Sequence, residues 1–132
     1  MFQVKTRVDY GLVIMVDLAK NQKSSRPISG LAKKLKVSSA YLIQIAQSLT
    51  KAGLISSREG VNGGYNLTRV ASKISLLEIF EALEGNIKKR CSSLPGKCPH
   101  ASDCEVKGPW DIILNDVKSI LSKRSLASLI KK

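Results

Sequence analysis

A chain of 132 residues that is 43% hydrophobic and 24% charged can bury one real core without disulfides. Its three cysteines, an odd number, argue against a secreted disulfide scaffold and for a reducing cytoplasm. The longest candidate leader, Leu12 to Val16, is followed at once by Asp17 and is too short for export or for a membrane span, so a cytoplasmic protein with no membrane partner is expected.

The net charge of +12 is uneven. Residues 1–70 hold eleven Lys or Arg against Asp9, Asp17 and Glu59, a balance of +8, and residues 71–132 hold eleven against seven acids, a balance of +4. Such a surface suits a polyanion, most often nucleic acid, although charge alone fits a merely soluble basic face equally well. The pattern of residues has to decide.

Val8 to Lys20 is apolar except at its ends and at Asp17, and reads as a largely buried first helix. The polar stretch from Asn21 to Arg26 reads as irregular, and Pro27 suits the first turn of a second helix. There Ile28, Leu31, Ala32 and Leu35 fall on one face, with Lys33, Lys34 and Lys36 mostly off it. Ser38 and Ser39 are candidate N-caps for a third helix, from Ala40 to about Ala52 and closed by Gly53. Its apolar face is Leu42, Ile45, Ala46 and Leu49, and its opposite stripe is Tyr41, Gln44, Ser48 and Lys51. Two short helices joined by a tight turn, the second displaying hydrogen-bonding side chains, form a helix-turn-helix pattern.

Leu54 to Arg58 and Tyr65 to Leu67 read as two short strands around Glu59-Gly60-Val61-Asn62-Gly63-Gly64. Glycine and Asn permit the positive φ angles of a tight hairpin and allow close approach to a phosphate. Helix-turn-helix followed by hairpin is the winged-helix order, and with the local charge it points to DNA. The candidate DNA contacts are Ser38, Ser39, Tyr41, Gln44, Ser48, Lys51, Arg58, Asn62, Gly63 and Gly64. A fourth helix spans Ser75 to Glu84, with Leu76, Ile79, Phe80 and Leu83 inward and Glu78, Glu81 and Glu84 toward solvent, and Gly85 ends it.

From Trp110 a long helix carries Ile113, Leu114, Val117, Ile120 and Leu121 at alternating three- and four-residue steps. That seam is either intramolecular core or the face of a homodimer. A dimer would present two recognition helices with two-fold symmetry and would read a palindromic operator on double-stranded DNA. The expected fold class is therefore mainly α with a small β-hairpin wing: a winged helix-turn-helix over residues 1–70, then residues 71–132 with a helix, a cysteine loop (91–104) and a long C-terminal dimerisation helix.

Cys91, Cys98 and Cys104 are packed into that loop with Pro95, Gly96, Lys97, Pro99 and Asp103, poor material for a core. They are either unremarkable thiols or a metal, cluster or redox site. Lys88, Lys89, Arg90 and Lys97 favour thiolates, which are the ligands an iron cluster needs and also the reactive form of a bare thiol. Zinc fits less well, because short C-x2-C knuckles and a fourth cysteine are missing. A catalytic cysteine has only His100 as a base and no organised nucleophile motif around it, so the chain does not read as an enzyme.

Tyr10 and Leu12 through Ala19, the helix-turn-helix from Ile28 to Gly53, the wing Gly60-x-x-Gly-Gly-Tyr65 and the cysteine trio before Trp110 together resemble the Rrf family of bacterial winged-helix regulators. The resemblance covers nearly the whole chain. It implies a dimeric transcription factor carrying a two-iron or four-iron iron-sulfur cluster on Cys91, Cys98 and Cys104, spaced here as C-x6-C-x5-C. The IscR-type branch has a His three residues after the last Cys, where this chain has Lys107, a protonated amine that does not ligate. Asp9 falls where the NsrR-type branch offers a carboxylate from the partner subunit's first helix, which makes it the implied fourth ligand; its ordinary role would be a first-turn acid on the helix dipole. Ile43 stands at the position of a base-discriminating Glu. The alternative is a cluster-free winged-helix regulator that senses oxidants through cysteine thiol chemistry.

Overall fold

The computed structural model describes residues 6–22, 24–60, 63–85, 105 and 107–130. The cysteine loop, His100 and Asn62 lie outside the described residues. The elements run α1 (Thr6–Lys20), α2 (Ile28–Leu35), α3 (Ser39–Lys51), β1 (Ile55–Arg58), β2 (Gly64–Leu67), a 3-10 turn (Ala71–Lys73), α4 (Leu76–Glu84), α5 (Lys107–Lys123) and α6 (Ala127–Ile130). The protein is mainly helical with one antiparallel hairpin, as the sequence pattern predicts.

The core is built on α3. Leu42, Ile45, Ala46 and Leu49, the four residues of its apolar repeat, are completely buried. α1 supplies Val8, Ile14, Met15 and Leu18 to the same core, α4 supplies Ile79 and Leu83, and the hairpin supplies Leu54 and Ile55. Burying a side chain of this size stabilises by roughly 1.5–3 kcal/mol, so α3 is held by its inner face while its outer face is left to solvent. α1 packs on both α3 and α4, and α4 packs on α3 and α5. Within α1, Gly11 leaves no room beside α4: a Cβ there would sit 2.3 Å from a Leu83 methyl carbon.

Local signals set the ends of the helices. Lys36 turns α2 off in the left-handed region (φ 59°), its N–H bonded to the Ala32 and Lys33 carbonyls. Ser38 then caps α3, accepting from the Tyr41 N–H. Gly53 follows α3 at φ 78°, as the glycine predicts. Ser75 and Glu78 form a reciprocal capping box at the start of α4. Glu78, which keeps the solvent access expected from the helical period, is also tied down: its carboxylate accepts from the Ser75 N–H and from Arg69.

Three features depart from the sequence reading. Arg26 is not irregular coil; it forms a two-hydrogen-bond antiparallel bridge with Tyr65, at 3.0 and 2.9 Å, which ties the segment before α2 to β2. α5 starts at Lys107 rather than Trp110, with Pro109 in its first turn, where a missing N–H costs nothing. After α5 the chain folds back. The Leu126 N–H bonds the Ile74 carbonyl at 2.8 Å, the Leu76 N–H bonds the Arg124 carbonyl at 2.9 Å, and Leu126 is fully buried. The C-terminal end thus enters the core shared with α1, α3 and α4.

Candidate nucleic-acid interface

Because the inner face of α3 is consumed by the core, its outer face presents Ser39, Ile43, Gln44, Gln47 and Lys51 to solvent. Ile43 belongs to this surface, at 38% exposure. Two members of the expected stripe are more constrained. Tyr41 is half-buried and packs edge-on against Tyr10, with ring centroids 5.8 Å apart. Ser48 is half-buried and accepts a hydrogen bond from the guanidinium of Arg7, in the first turn of α1. Ser38 spends its oxygen on the Tyr41 N–H at 3.1 Å, although its hydroxyl keeps a hydrogen to donate.

The wing stands beside this face. β1 and β2 pair antiparallel with Ile55 opposite Leu67 and Arg58 opposite Gly64, so exposed Arg58 lies at the hairpin's turn end. Gly63 and Gly64 have reasons to be glycine within the chain itself. A Cβ on Gly63 would lie 2.4 Å from the Arg58 carbonyl oxygen. One on Gly64, which sits at φ 145°, would lie 2.4 Å from the Arg26 backbone. Both glycines are thus required by the hairpin's own packing. Pairs behind the wing hold it in place: Ser25 donates to the Asn66 side chain at 2.6 Å, and Arg26 meets Asp17 at 3.2 Å.

Between α3 and the wing runs an open groove of about 580 Å³, lined by polar and basic groups from α1, α3 and both strands. Sequence reasoning missed Arg7 here. Its position shows no helix-turn-helix signal, and only the packing of α1 across α3, forty-one residues later in sequence, brings it to Ser48. Asp9, the candidate fourth ligand, is exposed in the first turn of α1. Among the described residues no group of three or more His, Cys, Asp or Glu comes together as a metal site. The three thiols lie between Gly85, which ends α4, and Lys107, which opens α5.

A recognition helix with its polar face outward, followed by a hairpin that exposes Arg58, defines a winged helix-turn-helix protein of the DNA-binding regulator class. The chain belongs to the Rrf2 family, "Iron-dependent Transcriptional regulator", whose family model matches residues 4–132. It is 31% identical to the HTH-type transcriptional regulator IscR of Xenorhabdus nematophila over 124 residues, covering 92% of this chain and 75% of that protein. Among solved structures it is similar to CymR (YrzC), the global cysteine regulator of B. subtilis, with TM-score 0.79 and 30% identity over 98% of this chain and 96% of that one. It is likewise similar to T. potens IscR, with TM-score 0.77 and 28% identity over 98% and 86% of the two chains. The protein is a transcriptional regulator that binds DNA, and not an enzyme. Among the described residues no helix is long and apolar enough to cross a membrane.

Proposed function

We propose that the protein is a homodimeric regulator that grips a palindromic DNA operator with α3 and the wing, and that an iron-sulfur cluster on Cys91, Cys98 and Cys104 controls that grip. The observation that carries the DNA reading is the division of α3 into a wholly buried face and an exposed polar face beside Arg58. Ser39, Gln44 and Gln47 offer donors and acceptors to base edges, Ile43 offers an apolar contact to a thymine methyl, and Lys51 and Arg58 meet phosphates. Of the other candidate contacts, Tyr41 and Ser48 orient this face as much as they read with it, and Asn62, between the two strands in sequence, would meet the backbone.

The donor chemistry fits a cluster. Three soft thiolates, with a basic flank that favours the thiolate form, supply three of four ligand positions, and exposed Asp9 of the partner subunit is available for the fourth. A bound cluster supplies a redox- and nitric-oxide-reactive group whose loss alters the ligand loop. The chain's own part is to couple that loop to DNA. The loop joins the end of α4 to the start of α5, and α4 rests on α3, so displacement of the loop's anchors bears on the recognition helix and on the dimer seam together.

Protein purified without oxygen should be coloured, contain iron and sulfide, and change its operator affinity when the cluster is removed. A second reading draws on the likeness to Staphylococcus aureus CymR, which has been solved in an oxidized form: a cluster-free protein whose thiols respond directly. A colourless, iron-free dimer that still binds its operator under redox control would select that reading.

A further inference from the structure

Arg7 lies in the first turn of α1, outside the helix-turn-helix, yet its side chain crosses to α3 and donates to Ser48. Only part of this cation is satisfied. A guanidinium carries five N–H donors in a planar fork, and here Nε is buried with no hydrogen-bond partner. The groove it borders is also lined by Gln44, Gln47, Lys51 and Ser57, and among the described residues no carboxylate lines its wall. Two cations, two amides and four hydroxyls, those of Ser48, Thr50, Ser57 and Tyr65, around an open concavity are complementary to a small anion. With Nη2 donating to Ser48 and Nε buried, Nη1 and the second Nη2 hydrogen are the donors left to form the fork that a tetrahedral oxyanion accepts bidentately.

We infer that Arg7 and Lys51 clamp one phosphodiester group of the DNA backbone in the groove between α3 and the wing, with Ser48 holding the Arg7 fork in register. The inference rests on the DNA-binding reading and adds to it a residue from α1. A backbone phosphate fits better than a free anion because the groove is open and continuous with the exposed face of α3. A ligand held by α1, α3 and the wing together would also fix the angle at which α3 enters the major groove.

The test is binding of the full-length protein to a fluorescent 30-base-pair duplex of mixed sequence, followed by anisotropy across a series of salt concentrations. Loss of one phosphate contact should reduce the slope of log affinity against log salt by about 0.9. Arg7→Gln should show that reduction and bind roughly three- to tenfold more weakly at ~0.1 M salt. Arg7→Lys should keep the slope, because the charge remains, but bind more weakly, because the fork is lost; this variant decides the matter if Arg7→Gln does not fold by circular dichroism. An unchanged slope in folded Arg7→Gln, or wild-type affinity in Arg7→Lys, overturns the clamp while leaving the DNA reading intact. No binding by the wild type at low salt overturns both. Inorganic phosphate serves as the second probe: if millimolar phosphate raises the melting temperature of the wild type but not of Arg7→Gln, while both bind DNA with the same slope, the groove is a free-anion site instead.

Discussion

α4 and α5 are both amphipathic helices with apolar residues at three- and four-residue steps, and they end up in opposite environments. Ile79 and Leu83 of α4 are buried against α1 and α3. On α5, Trp110 is 46% exposed, Ile113 48% and Ile120 61%, and Ile112 beside the seam is 63% exposed. α5 does touch α4, with Leu114, Val117 and Leu121 half-buried, but the rest of its apolar surface has no cover among the described residues. The same periodic signal therefore means core in one helix and unfilled surface in the other. A large exposed apolar strip of this kind marks an interaction site, and the interface proposed for it is a second copy of this chain.

That contrast can be broken by experiment. Truncating the buried side should have the largest effect: Ile79→Ala should cost about 2–5 kcal/mol in urea unfolding, through lost burial and a cavity at the centre of the domain. A charge on the uncovered side should act on association instead. Ile120→Asp should leave the helical circular dichroism signal intact while sedimentation shifts the protein from dimer to monomer. A monomeric wild type, or an Ile120→Asp dimer as tight as the wild type, would remove the proposed role of α5.

The wing supplies the next effect in size. Gly64→Ala forces a Cβ against the Arg26 backbone at a φ of 145°, and should destabilise by roughly 1–3 kcal/mol, the scale of a strained backbone conformation. Gly60→Ala, at φ 111° but facing open space, should cost less by the same unfolding assay. If the two were equal, the contact with Arg26 would not be what demands the glycine.

What could be read beforehand follows from which interactions are local. The α3 face, its Ser38 cap, Gly53 and the hairpin are set by residues a few positions apart, so period and turn chemistry reveal them. The Arg26–Tyr65 bridge, the Arg7–Ser48 contact and the return of Leu126 to Ile74 join residues 39 or more positions apart, and no local pattern announces such pairings. α6 is an intermediate case. Leu126, Leu129 and Ile130 have helical spacing, but only the backbone bonds to Ile74 and Leu76 reveal why Leu126 is buried while Leu129 stays exposed. At the candidate site, the polar face of α3 was legible because it complements an apolar repeat, whereas the basic groove needed α1 folded across it.

The smallest effect belongs to the entry of α4, where the buried helix begins. Ser75→Ala removes an N-cap and should cost about 1 kcal/mol. Its partner Glu78 adds a pH dependence. Partial burial pushes the Glu78 carboxyl upward, but the Ser75 N–H, the Arg69 guanidinium and the Ser75 hydroxyl outweigh it and hold the group below its ordinary value of 4.5. A carboxyl depressed on folding stabilises the native state above its unfolded value and loses that contribution as pH falls through the folded one. The wild type should therefore lose stability relative to Glu78→Gln as pH drops below about 4.5. Above that window the difference should be constant. With both side chains of the Arg69–Glu78 pair about two-fifths exposed, at 40% and 39%, screening limits the change to a few tenths of a kcal/mol, and added salt should shrink it further. A pH profile of urea midpoints for the two proteins that stayed parallel from pH 7 to pH 3 would show that the α4 cap works by hydrogen-bond geometry alone, without the carboxylate's charge.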